Sequence, residues 1–310
     1  MMRHGAPTYP RRCQRLRRTL LGVTLVGSAT LAMAFSGGSV GAALKHQSTT
    51  KLVRAAYSQT VDAKTAEMAL TESVTQSNSL PLQVTISGQG SVDFDTGNGA
   101  LTFSSSATGT FSDRFISPDL YIQLPAADKG QLPSGKTWIS LNLNTVTEAK
   151  LGASLAQLSS TSQESTQLLS YLQSVSDTGI TTVGPATIKG VATTEYKAIV
   201  DLTKVADQKS PAAQAAIKSL EAELNATMLP VQIWLDRQGR VRQVSEQIQV
   251  STTSQSNGGT TVPAASGSVS TTVDYYDFGT PVTIQAPPNS QVDDVTSQAL
   301  AAASSTTTTG

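Results

Sequence analysis

The sequence predicts a β-rich α+β domain built from antiparallel strands, placed behind an export segment. Three observations carry that prediction: apolar residues alternate with polar ones over most of the chain beyond residue 80, turn residues separate the alternating runs, and a few stretches repeat at helical spacing instead. The one cysteine, Cys13, and both histidines, His4 and His46, lie in or just after the N-terminal segment. The body therefore offers no Cys or His nucleophile–base pair, no Ser-His-Asp triad and no ordinary His or Cys metal site, so neither an enzyme nor a bound cofactor is expected.

The first 44 residues read as a signal peptide or an N-terminal anchor. Six arginines and no acid precede Lys45, and no charge occurs from Thr19 to Leu44. The apolar stretch Leu20 to Phe35 is short for a bilayer span and gives way to Ser36-Gly37-Gly38-Ser39, which suits a cleavage region. Ala32-Met33-Ala34 and Val40-Gly41-Ala42 are small-residue cleavage candidates, an uncleaved anchor is the competing reading, and Arg17-Arg18 resembles a twin-arginine signal. The chain from Lys45 onward carries 16 basic against 22 acidic residues, a net charge of −6. That balance, with no basic stripe interleaved with aromatics, speaks against nucleic-acid binding. Without cysteine the body must be held by a sizeable apolar core, in one large β-rich domain or two small ones.

Along the body, Leu52, Val53, Ala56, Tyr57, Val61, Ala66, Ala69 and Leu70 recur near helical spacing after Ser48-Thr49-Thr50, predicting a first helix that packs on a sheet. Alternation then takes over in Leu82, Val84 and Ile86, in Val92 and Phe94, and, past the turn Asp95-Thr96-Gly97-Asn98-Gly99, in Leu101 and Phe103. It continues in Leu120, Ile122 and Leu124 and, beyond Pro133-Ser134-Gly135, in Ile139, Leu141 and Leu143. Leu151 to Val175 reads as a second, interrupted helix, followed by strands at Ile180 to Ile188 and Thr193 to Leu202 around Gly190. Ser210-Pro211 places a capping residue before a proline and starts a third helix through Leu224, with Glu221 and Glu223 on a solvated face. Val231, Ile233 and Leu235 form a strand whose hairpin, Asp236 to Arg240, feeds Val244 to Val250. Ser251 to Gly267 reads as a mobile hairpin loop before a strand at Val269 to Phe278, and residues 286–310 as a disordered Ser/Thr-rich tail.

One catalytic motif stands out. Asp95-Thr96-Gly97 and Asp177-Thr178-Gly179 repeat the triplet with which aspartic peptidases pair two carboxylates around one proton. Asp and Gly are also what hairpin turns demand, and that is the favoured reading of both. The aromatics Tyr121, Trp138, Tyr171, Tyr196, Trp234, Tyr275 and Tyr276 suit packing or edge cover better than stacking on a ligand. No glycine-rich phosphate loop opens a helix, so nucleotide use has no support.

The strings Leu120-Tyr121-Ile122-Gln123-Leu124-Pro125, Gly135-Lys136-Thr137-Trp138-Ile139-Ser140-Leu141, Ile188-Lys189-Gly190-Val191-Ala192-Thr193-Thr194-Glu195-Tyr196 and Leu229 to Val241 resemble, in order and phrasing, the actinobacterial LppX/LprA/LprF/LprG envelope lipoproteins. The resemblance spans residues 50 to 285. It implies a LolA/LppX-like fold: a curved antiparallel β half-barrel with helices packed on its concave face around an apolar cavity, in a single domain over residues 45–285. It also implies a non-enzymatic carrier of lipid or lipidated glycan, outside the cytoplasmic membrane, either secreted or in the cell envelope. The expected partner is a lipid or glycolipid, the chain itself a monomer. Residues whose parity points inward, and so candidates for the cavity wall, are Leu82, Val84, Ile86, Phe94, Leu101, Phe103, Leu120, Ile122, Leu124, Ile139, Leu141, Ile233, Leu235, Ile248 and Val250. Plain core packing is the alternative for each of them. The chain departs from these lipoproteins in having no cysteine after its apolar run, so it should be released or associate with the membrane through its N-terminal segment. An envelope sensor or protein-interaction module on the same fold is the other reading.

Overall fold

The computed structural model of the protein describes residues 40–77, 82–105, 109–148, 169–207, 214, 217–218, 221, 226–252, 255–257, 260–262 and 265–306. Helix α1 (Val40–Val61) leads into a meander of β1 (Thr65–Ser77), β2 (Leu82–Asp93), β3 (Asn98–Ser105), β4 (Gly109–Ile116), β5 (Asp119–Gln123) and β6 (Trp138–Asn142). After α2 (Leu143–Glu148), a second meander runs through β7 (Thr181–Ile188) and β8 (Val191–Asp201), then α3 (Leu202–Asp207), β9 (Met228–Leu235) and β10 (Val241–Thr252). A small hairpin of β11 (Gln255–Asn257) and β12 (Thr260–Val262) precedes β13 (Ala265–Tyr276), β14 (Val292–Asp294) and α4 (Thr296–Thr306).

The two meanders are joined by β13, which pairs antiparallel with β1 on one side and β10 on the other. The result is one open sheet of twelve strands, ordered β14-β6-β5-β4-β3-β2-β1-β13-β10-β9-β8-β7, antiparallel everywhere except at β14. Buried residues of α1 and α3 form one core with a single face of the sheet, the inner face, so each central strand alternates between a covered and an open side. This is the α+β half-barrel that the strand phrasing implied.

The first helix is shorter at its C-terminal end than the spacing predicts. Thr50, Val53, Ala56 and Thr60 form its buried stripe, and the Thr60 hydroxyl donates to the Ala56 carbonyl while accepting the Val241 amide at 2.9 Å, tying α1 to β10. Lys64 then takes a positive φ of 71°, and the chain becomes β1. Ala66, Ala69 and Leu70, helical by their spacing, are strand residues; Ala66 and Leu70 face inward and Ala69 outward. Alanine suits a helix, yet pairing with both β2 and β13 decides the outcome.

Three further expectations are revised. Strand β4, between Gly109 and Ile116, has no counterpart in the alternation pattern. The stretch read as a mobile loop at 251–267 belongs partly to β10, which continues to Thr252, and to β13, which begins at Ala265, with β11 and β12 between them. Nor is 286–306 a disordered tail. After β13 the chain crosses the outer face, where the Arg114 guanidinium donates to the Gln285 carbonyl at 2.7 Å and lies 4.9 Å from the centre of the Trp138 ring. The Thr137 amide donates to the Gln291 carbonyl at 2.9 Å, β14 pairs parallel with β6, and the Asn142 amide donates to the Thr296 hydroxyl at the start of α4. Backbone pairing at an otherwise open sheet edge holds this segment. Most of the second predicted helix lies outside the described residues; Leu172–Ser174 form a 3-10 turn. Of the third predicted helix, Gln214, Ile217, Lys218 and Glu221 are described and helical.

Turn chemistry matches the sequence where it is most specific. Lys189 and Gly190 both have positive φ, 45° and 79°, as a two-residue hairpin matched to strand twist requires. At the β9–β10 turn the buried Asp236 carboxylate accepts the Gln238 and Arg240 amides and both Arg240 and Arg242 side chains at 3.0 Å. The two guanidinium groups then lie 4.6 and 4.9 Å from the Phe278 ring centre.

Candidate ligand-binding face

Register lines up the inner-face residues in rows across the strands. One row carries Tyr275, Met68, Gly90, Leu101, Asp113, Ile122 and Ile139; the next carries Tyr196, Ile233, Val244, Val273, Leu70, Gly88, Phe103 and Phe111. Most of these side chains are buried beneath Val53 and Ala56 of α1, Leu169, Leu172 and Val175, Leu202 and Val205 of α3, and Ile217. Gly88 has a packing role here. A Cβ at Gly88 would come within 2.6 Å of the Phe103 ring, so the missing side chain lets that ring lie against the sheet, stacked on Phe111 at 4.9 Å.

Further along the same strands the cover thins. The third row is Ala198, Val231, Glu246, Thr271, Glu72 and Ile86, and the fourth holds Ile248, Val269, Val74 and Val84. Glu246, Thr271, Glu72, Ile86, Ile248, Val269 and Val84 are all half-buried, while Val74 is 7% exposed. This is an apolar strip with two carboxylates at its centre, one on either side of Thr271. Burial raises the pKa of Glu72, and burial together with the charge of Glu72 pushes Glu246 up to about 7. The carboxylates are acceptors only when ionised, and neutral donors when they hold a proton.

The residues proposed from parity fall into two groups. Leu101, Phe103, Leu120, Ile139, Leu141, Ile233 and Leu235 are buried, whereas Val84, Ile86, Phe94, Ile122, Leu124 and Ile248 are half-buried. Phe94 lies just past β2, its ring 6.3 Å from that of Tyr275, and Leu124 just past β5. Val250 pairs with Gly267 in the ladder, and its side chain, like that of Leu82, lies outside the described residues. Val74, Phe111, Val269 and the pair Glu72 and Glu246 are inner-face residues outside the parity set. Alternation alone points to Glu246, since it sits two residues from both Val244 and Ile248.

The two Asp-Thr-Gly triplets do not meet. Asp95 stands in the β2–β3 turn and pairs with Lys64 at 2.9 Å, while Asp177 follows the 3-10 turn and pairs with Arg54 at 3.0 Å. Each is engaged with its own cation in its own turn, so no proton is shared, and the aspartic-type hydrolase reading falls. Among the described residues no group of three or more His, Cys, Asp or Glu is arranged to hold a metal, and no helix is long and apolar enough to cross a membrane. A depression of about 370 Å³ beside the β7–β8 and β9–β10 turns is lined by Val191, Ala192, Asp236, Arg237 and Gln238, outside the apolar strip.

An open antiparallel half-barrel with helices on its inner face is the class that this geometry defines. No family model and no curated protein matches the chain. Among solved structures it is similar to the lipoprotein LppX of Mycobacterium tuberculosis, at 14% identity and a TM-score of 0.43 over 76% of this chain and 99% of that one. It is similar also to LprF of Mycobacterium bovis, at 13% identity and 0.40 over 82% and 100%, and to a LolA superfamily protein of Nitrosomonas europaea, at 9% and 0.25 over 77% and 94%. The architecture itself stands on strand order and register.

Proposed function

We propose that the protein is an exported, non-enzymatic carrier that holds the acyl chains of a lipid or lipidated glycan of the cell envelope against its inner face, anchored or released according to the fate of residues 1–44. The observation that carries this reading is the half-buried apolar strip of Val84, Ile86, Ile248 and Val269, continuous with the closed core yet only partly covered. Removing an acyl chain from water yields about 0.8 kcal/mol per methylene, so even a short chain along such a strip gains several kcal/mol. The half-buried members of the parity set, Val84, Ile86, Phe94, Ile122, Leu124 and Ile248, are the proposed wall, and the fully buried members its support.

Native mass spectrometry of the full-length chain recovered from its host, followed by organic extraction, tests the reading. Acyl-chain species that dissociate only on unfolding are the expected result. A clean apo mass that persists after incubation with envelope lipids would overturn it in favour of an interaction module.

A further inference from the structure

Glu72 and Glu246 are the one pair of acids that flank a single residue on the inner face among the described residues. Glu72 stands between Ile86 and Thr271 across the strands and between Leu70 and Val74 along its own; Glu246 stands between Thr271 and Val231, and between Val244 and Ile248. One strand, β13, separates them, so their Cα atoms lie roughly 10 Å apart and both side chains rise over Thr271. Neither makes a hydrogen bond or ion pair with another described residue. The inner-face positions of β1, β2, β9, β13 and residues 244–248 of β10 hold no lysine or arginine. The elements packed on this face present Val53, Ala56 and Tyr57 from α1, Tyr171, Leu172 and Val175, Leu202 and Val205 from α3, and Ile217; of their cations, Arg54 is engaged by Asp177 and the Val175 carbonyl and Lys218 is exposed. The described acid nearest Ile217 in its helical stretch is Glu221, which has one carboxylate oxygen buried without a partner among the described residues. Asp113 is the other inner-face acid, on β4 at the level of Leu101 and Ile122.

We propose that Glu72 and Glu246 form a proton-controlled gate on the inner face: sharing one proton, the pair brings a single charge to the strip, which can still retain an apolar occupant, and fully ionised, it brings two, draws in water and loosens that occupant. This rests on the carrier reading. Two carboxylates in an apolar setting, with no cation beside them among the described residues, cannot both ionise cheaply, so the second proton is retained into the neutral range, as the raised value at Glu246 reflects. Once it leaves, two like charges stand in the middle of the surface that contacts the cargo. Their hydration competes with burial of acyl methylenes. The proton equilibrates with solvent, and no bond is made or broken.

The test uses the full-length wild-type chain and the isosteric variants E72Q, E246Q and E72Q/E246Q. Binding of N-phenyl-1-naphthylamine, an apolar probe uncharged over the range, is measured at pH 6 and pH 8.5. The carboxyl carbons are followed by 13C NMR in Glu-labelled wild type. A carboxyl titrating near neutrality, probe affinity at least tenfold weaker at pH 8.5, and loss of that difference in E246Q and the double variant are the expected results. Probe binding that is equal at both values overturns the gate and leaves the carrier standing. No binding at either value by wild type or double variant removes the carrier and the gate with it. Should the variants not fold, titration of every wild-type glutamate below pH 5 overturns the gate by itself.

Discussion

The inner face is one surface with two treatments. Beneath α1 and α3 the first two rows are closed: Phe103, Met68 and Ile233 have no solvent exposure at all. Two residues further along β1, β2, β10 and β13, Ile86, Val84, Ile248 and Val269 are only half covered and stand beside two acids, while Ala198, Val200, Leu229 and Val231 at the same levels of β8 and β9 stay buried. Residue type does not explain the difference, since Val and Ile occur in both. The layer over the sheet is what changes, and the difference teaches that the same strand alternation can build a closed core or a half-covered apolar strip according to its cover.

The sharpest way to break this comparison is to truncate matched residues. Phe103→Ala should cost about 3–5 kcal/mol in urea unfolding, because it removes a fully buried ring and its stacking on Phe111. Ile248→Ala, on the strip, should cost no more than about 1.5 kcal/mol while weakening apolar probe binding several-fold. Equal destabilisation at the two sites would make the strip ordinary core.

The acids sharpen the contrast. Burial alone would raise the pKa of Asp236, but the Arg240 amide and the Arg242 and Arg240 guanidinium groups outweigh it and hold the group below the usual carboxylate range. Its stabilisation is present above the unfolded pKa of about 3.9 and is lost as pH falls through the lower folded value. Asp236→Asn should therefore cost about 2–4 kcal/mol at pH 7, with the gap to wild type closing below about pH 4. Glu246 runs the other way. Its folded pKa is raised to about 7, so its contribution is complete below about pH 4.5 and is lost as pH rises through 7. Glu246→Gln should match wild type near pH 4.5 and exceed it by up to about 3 kcal/mol above pH 8, read as the unfolding midpoint against pH. A variant that destabilised the fold throughout that range would remove the distinction between a served and an unserved acid.

Much of this architecture is legible in the sequence, and the gaps have a common cause. The strands with clean alternation, β2, β3, β5, β6 and β9, lie within a residue or two of their sequence-predicted positions at most of their ends. Two of the strands that alternation does not reveal, β1 and β4, each place an acid where the pattern requires an apolar residue, Glu72 in one and Asp113 in the other. In β1 the alanines add to this by mimicking a helix. The C-terminal segment reads as disordered because low apolar content implies disorder only for a chain that finds no edge to pair with. Parity identifies the face but not its depth, since cover comes from elements distant in sequence.

β13 has a further consequence. Among the described strands it alone touches both meanders, and the first of its partners, β1, is synthesised roughly two hundred residues earlier. Without β13 the strands of residues 65–142 and those of residues 181–252 share no backbone pairing among the described residues. Long-range pairing of this kind is slow and penalises early closure, so a chain emerging N-terminus first stays open until β13 has been delivered. A stop codon before residue 265 would leave a molecule without its seam.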